Sequence, residues 1–206
     1  MTPTGLPEPA DQTLRPTPGA RLAVYSCYFG AHEPFNPDAT GEAGQGYDRY
    51  VFTDHAQLPT SATLVPLTDE GEGPAILSRL PKLCPHLFFQ AYDWVIYLDN
   101  NARFALSPPR ILKRIAKEHP DLPKGRYLFH HRRRDCVWDE ADECLRLGFM
   151  TPEQYARVTG LFVESGVPRH GGLFVNTCLV QRMGDPATDA LNEAWYDTLA
   201  THTRRD

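Results

Sequence analysis

An α/β fold with a mixed, mostly parallel central sheet and helices on both faces is predicted by three features of the sequence. Short runs rich in β-branched and aromatic residues alternate with helical stretches, the pattern of strands and helices packed around one sheet. Two of these runs, 22–29 and 94–98, are apolar almost without interruption, as strands covered on both faces are. Three runs end on Gly30, Asp54 and Asp99, at the strand ends where α/β sheets hold their ligands.

Residues 1–20 are proline-rich and poor in large apolar groups. They bury too little surface to offset ordering entropy, so a disordered tail is expected, followed by a single domain over 21–206. The first strand is expected over 22–29, a loop over 31–46, and further strands at 50–53 and 63–67. A helix is expected over 81–90, with Pro81 in its first turn and a kink or late start at Pro85. Residues 94–98 form the strongest strand signal. Then follow a helix over 109–119, a strand at 127–129 and a helix over 138–147 closed by Gly148. A helix over 152–159, a strand over 172–181 and a helix over 186–199 complete the series.

The formal net charge is −5, and the one dense basic run is Arg132-Arg133-Arg134. That balance argues against nucleic acid as a partner and suits a small anionic ligand. The five cysteines show no C-x-x-C or zinc-finger spacing, so reduced, mostly buried thiols are expected and no zinc site. No start resembling a signal peptide and no apolar stretch of roughly 18 residues appear. A cytoplasmic protein without a membrane span is the expectation.

Asp99 is the most informative polar residue. A carboxylate directly after an apolar strand sits at the rim of the core. There it can hold a divalent cation, Mn²⁺ or Mg²⁺, on the diphosphate of a nucleotide-sugar, where the departing nucleoside diphosphate gains charge. The usual device is an Asp-x-Asp pair. Here it reads Asp99-Asn100-Asn101, so Asn101 offers a carbonyl oxygen without charge. Asp-Asn pairs also form plain turns. Arg79 and Lys82 stand ready for phosphate oxygens, or else lie over apolar neighbours. Asp54 is placed for the nucleoside, or caps the turn to His55. His131 and Arg134 suit donor or acceptor oxygens, and Glu140 orients them or acts as a catalytic carboxylate. Acids at 139 and 140 equally favour a helix N-terminus. After Gly171-Gly172, which permits close approach of a ligand, Asn176 and Thr177 can bond sugar hydroxyls. A plain turn into a strand fits the same residues.

Several of these segments, in this order, resemble one known family. They are Arg79-x-x-Lys82, WVIYLDNNARF from Trp94, HRRRDCVWDEA from His131, GGLFVNTCLVQR from Gly171, the Trp195 region and Arg205-Asp206. The chain looks like a bacterial member of the glycosyltransferase-like family of plant mucilage-related hexosyltransferases and a plant alkaline ceramidase. The resemblance covers about 22–206. It implies a GT-A-like, Rossmann-like fold with the metal and a nucleotide-sugar, by analogy UDP-linked, at the Asp99 strand end. Asp206 falls at the Arg-Asp pair and is carried over as a catalytic position. Two departures stand out: the metal motif lacks a second acid, and the chain stops where the family continues with Gln, Ser and a helix, as a truncated form, a short natural member or an inactive remnant would.

The expected function is therefore transfer of a hexose from a nucleotide diphosphate-sugar to a glycan or other hydroxyl acceptor. Two alternatives remain open: non-catalytic binding of a nucleotide-sugar or glycan, and amide hydrolysis, which rests on the ceramidase resemblance alone.

Overall fold

The computed structural model describes residues 13–68, 71, 73–121 and 124–202. They form an α/β structure on a six-stranded sheet of order β3-β2-β1-β4-β6-β5. Strand β1 (Leu22–Tyr28) is buried along its whole length. It runs parallel to β2 (Asp48–Thr53) on one side and to β4 (Trp94–Leu98) on the other. Strand β3 (Thr63–Pro66) extends the sheet in parallel beyond β2. Strand β6 (Phe174–Arg182) is antiparallel to β4, and β5 (Gly125–His130) stands at the end of the order. The sheet is thus mixed and mostly parallel, as the sequence predicts. Burial of Val95, Ile96, Tyr97 and Leu98 on β4 stabilises by about 1.5–3 kcal/mol per large apolar side chain.

The chain divides into two compact units. The first comprises Met1–Tyr127 and Thr177–Asp197, the second Leu128–Asn176 and Thr198–Asp206. In the first unit, Leu22, Val24, Ile96 and Val180 form a core with Tyr47 and Ile115. Helix α3 (Pro108–Glu118) turns Ile111, Leu112 and Ile115 onto it, the spacing of one helix face. Rings of Tyr25, Phe52, Phe88, Phe89 and Tyr97 pack together, with Tyr25 and Phe89 centred 4.8 Å apart.

In the second unit, α4 (Val137–Arg146) and α5 (Pro152–Glu164) share an apolar cluster of Cys144, Met150 and Val158 with Tyr155 and Phe162. Thr151 and Gln154 form a reciprocal cap at the start of α5. This pairing satisfies two backbone donors that the helix itself leaves open.

Several boundaries differ from the sequence expectation. The helix expected over 81–90 is two short pieces, α2 (Arg79–Leu83) and a 3₁₀ turn at Pro85–Leu87, because Pro85 has no N–H to continue the ladder. Helix α1 (Pro74–Leu77), entered from Gly73 at φ 87°, was not expected. A 3₁₀ turn at Pro37–Thr40 interrupts the expected loop. Helix α5 continues through Gly160 to Glu164. A glycine there costs about 1 kcal/mol, while Phe162 beyond it packs on the cluster and on the Trp138 ring. The last strand begins at Phe174 rather than Gly172, which lies at φ 99°. Helix α6 runs over Pro186–His202.

Within the expected disordered tail, residues 13–20 are tied down instead. The Leu14 N–H donates to the Phe88 carbonyl at 2.9 Å, and Thr17 donates to Asp48 through its N–H and its hydroxyl. Residues 1–12 of that tail lie outside the described residues. All five cysteines are free thiols, four of them buried. Among the described residues no helix is long and apolar enough to cross a membrane.

Candidate functional sites

The strand order reverses between β1 and β4: β2 and β3 lie on one side of β1, β4 on the other. In open α/β sheets such a reversal opens a crevice beyond the C-terminal strand ends. Gly30 and Asp99 follow the two strands that border it, and Asp54 follows the neighbouring β2. The sequence-predicted trio therefore lies at one edge of the first unit.

Gly30 is held from two sides. Its N–H donates to both carboxylate oxygens of Asp54 at 3.1 Å, and His55 Nε2 lies 2.5 Å from its carbonyl oxygen. At φ 65° it occupies the left-handed region that glycine enters without a Cβ penalty. The His55 ring stacks on Tyr28 at 5.1 Å between centroids, and its side chain remains 33% exposed. Sequence reasoning passed over His55 and Tyr28, although His55 directly follows Asp54.

Asp99 opens a turn closed by the Ala102 N–H on the Asp99 carbonyl at 3.0 Å. Its Oδ1 accepts from Lys82 Nζ at 3.0 Å and from the Tyr97 hydroxyl at 2.7 Å. Tyr97 is two residues earlier on β4, hence on the same strand face. Lys82 is 2% exposed and Asp99 28%, so Lys82 faces the carboxylate rather than solvent. Its ammonium also lies 5.1 Å from the Tyr97 ring centre. Burial, and then the Asp99 charge, pushes the Cys178 thiol up to about 12, which makes that thiol a poor nucleophile.

Asn100 is the buried member of the tripeptide. Its Oδ1 accepts from the Asn36 N–H at 2.8 Å, and its Nδ2 donates to Glu33 Oε1 and the Pro34 carbonyl at 2.8 and 2.9 Å. It fastens the loop after β1 to the end of β4. Asn101 is exposed. Arg79 is half-buried and donates to Ser78 Oγ at 3.2 Å. Thr177 is exposed, and its carbonyl accepts the Asp99 N–H at 2.9 Å.

The strand end fits poorly with the Mn²⁺ or Mg²⁺ expected at Asp99 and Asn101. One oxygen of Asp99 is already engaged by a buried ammonium, and a hard cation needs an array of oxygen ligands. Among the described residues, the His, Cys, Asp or Glu side chains grouped closely enough to share an ion are Cys136, Asp139 and His170, without Asp99.

That group belongs to the second unit and brings together three side chains of ligand type that the cysteine spacing did not suggest. Cys136 is the buried N-cap of α4, Asp139 lies in its first turn, and His170 comes from the loop after α5. One ligand atom from each lies within 4.8 Å of the others. His170 Nδ1 is 2.9 Å from Asp135 Oδ1, and Arg169 reaches Asp139 at 3.7 Å while lying over the Trp138 ring at 5.1 Å. The hydrogen bond with Asp135 raises the His170 pKa and lowers that of Asp135.

The same unit brings His131, Arg134 and Glu140 together. His131 Nδ1 accepts the N–H groups of Arg133 and Arg134 at 3.3 and 2.9 Å, which leaves any ring proton on Nε2. Arg134 Nε pairs with Glu140 Oε2 at 2.5 Å, and Glu140 Oε1 accepts from Cys144 Sγ at 3.6 Å. Asn176 Oδ1 is buried with no hydrogen-bond partner among the described residues. Asp206 lies outside the described residues.

No protein-family model, no curated protein and no solved structure matches the chain.

Proposed function

We propose that this chain is a GT-A-like hexosyltransferase that binds a nucleotide diphosphate-sugar, UDP-linked by analogy, at the β1/β4 switch point. The observation that carries this reading is the convergence of Gly30, Asp54 and Asp99 on that strand edge. Carboxylates at the ends of parallel strands accept hydrogen bonds from ribose or hexose hydroxyls. The locked glycine lets a ligand approach the backbone, and the partly exposed His55 ring offers a face for a base. Lys82 and Tyr97 fix Asp99 in one orientation and offset part of its charge beside a diphosphate.

In the reaction, the bond from the sugar's anomeric carbon to the diphosphate oxygen breaks. The acceptor hydroxyl oxygen bonds to that carbon and gives its proton to solvent, and the nucleoside diphosphate departs with the electron pair of the broken bond. A second reading, binding without transfer, is favoured by the single acid of the Asp99-Asn100-Asn101 motif.

Isothermal calorimetry with UDP and UDP-hexoses, with and without Mn²⁺, tests the proposal. Saturable binding that Asp54→Asn weakens is the expected result. Absence of heat with every nucleoside diphosphate removes the donor site. Binding without transfer or slow hydrolysis of the UDP-hexose establishes the second reading.

A further inference from the structure

We infer that the second unit carries a transition-metal site for Zn²⁺ or a similar borderline ion, made by Cys136 Sγ, an Asp139 carboxylate oxygen and a His170 ring nitrogen. The site does not rest on the nucleotide-sugar reading, since none of its residues belongs to the strand end at Asp99.

Three observations carry it. The ligand atoms come from two separate chain segments and lie within 4.8 Å of one another. Around a tetrahedral Zn²⁺, with bonds of 2.0–2.3 Å, such atoms are about 3.5 Å apart. Asp139 and His170 have side chains 43% and 63% exposed, so modest rotations close that gap onto the buried thiol. Second, the donor set includes sulfur and imidazole, which suits Zn²⁺ or Co²⁺ rather than the all-oxygen preference of Mg²⁺ or Ca²⁺. Third, His170 has φ 54° and is the non-glycine residue at positive φ among those described. That conformation is uncommon for a side-chain-bearing residue and often marks a functional position.

The surroundings support the same assignment. Asp135 engages His170 Nδ1 at 2.9 Å, so the ion of this site would be held through Nε2. A carboxylate on the distal nitrogen is the usual outer partner of a metal-bound histidine. Binding would displace Arg169 from Asp139 and release the Cys136 thiol proton to solvent. Three protein ligands leave a fourth position for water or a small ligand.

Titration of the full chain with Co²⁺, followed by optical absorption, tests the site. The expected result is one ion bound per chain, with a near-ultraviolet thiolate-to-cobalt charge-transfer band and proton release. Zn²⁺ should abolish the band by competition. Cys136→Ser should remove the band while circular dichroism stays native, because serine also caps a helix. His170→Asn, chosen because asparagine tolerates positive φ, should weaken binding by at least about tenfold, and Asp135→Asn by about tenfold. Cys178→Ser should leave the band unchanged. Absence of a charge-transfer band, or its survival at full strength in both Cys136→Ser and His170→Asn, overturns the assignment.

Discussion

The two units concentrate polar chemistry in opposite ways. At the first unit's strand end, Asp99 is held by partners on regular elements: Tyr97 on the same strand and Lys82 on a short helix packed into the core. The second unit builds its group from a helix start and a loop, with His170 and Asp135 largely in water. A charge fixed on buried strands is expensive to disturb, whereas a loop-borne group is cheap to move and can close around an ion. The difference predicts which substitutions act on folding and which act on binding.

The sharpest way to break that comparison is to separate Lys82 from Asp99. Lys82 is the more buried partner, 2% exposed against 28%. Asp99→Ala takes a carboxylate from a largely buried ammonium, and should cost about 2–4 kcal/mol. Lys82→Met leaves a carboxylate that water can reach and that Tyr97 still bonds, so about 1–2 kcal/mol is expected. Urea unfolding of both variants checks the order, and equal or reversed costs would mean that burial does not govern the pair. Next in size is Asn100→Ala, which removes the amide joining the loop after β1 to the end of β4. It should cost about 1–3 kcal/mol in the same measurement.

The corresponding ion pair of the second unit should matter less. Arg134 and Glu140 are 28% and 26% exposed, so both ends keep contact with water. Glu140→Gln should cost no more than about 1 kcal/mol. A loss as large as that of Asp99→Ala would erase the contrast between the two regions.

The sheet was more legible in the sequence than either site. An uninterrupted apolar run such as Trp94–Leu98 has few alternatives, and its observed bounds match the expected ones. Tyr97, two residues before Asp99, shares its strand face, a signal that was present in the sequence and not drawn from it. By contrast, the contacts of Asn100 with residues 33–36 join segments far apart in the chain, and nothing local announces them. The proximity of Cys136, Asp139 and His170 was hidden for the same reason: Cys136 and Asp139 share a helix start, but His170 arrives after a second helix. A cysteine three residues before an aspartate at a helix opening was the available signal. Proline content misled at residues 13–20, because Asp48 and Phe88 supply the anchoring that the segment's own composition lacks.

That anchoring yields the smallest predicted effect, and one that depends on pH. Burial pushes the Asp48 carboxyl up, but hydrogen bonds from the Thr17 hydroxyl and N–H and from the Tyr92 hydroxyl outweigh it and hold the group below its usual range. A carboxyl with a lowered folded pKa binds its proton later than in the unfolded chain. Its stabilisation is present above the unfolded value near pH 4 and is lost as the pH falls through the folded one. Much of the group is open to solvent, so the contribution is on the order of a few tenths of a kcal/mol. Asp48→Asn should therefore lower stability slightly at pH 7 and flatten its dependence between about pH 5 and 2. Hydrogen exchange at the Leu14 and Thr17 amides should speed up in the variant and, once the pH has fallen through the lowered folded pKa of Asp48, converge with wild type after the intrinsic pH dependence is divided out. Unchanged protection at neutral pH would show that residues 13–20 are held by Phe88 alone, without help from Asp48.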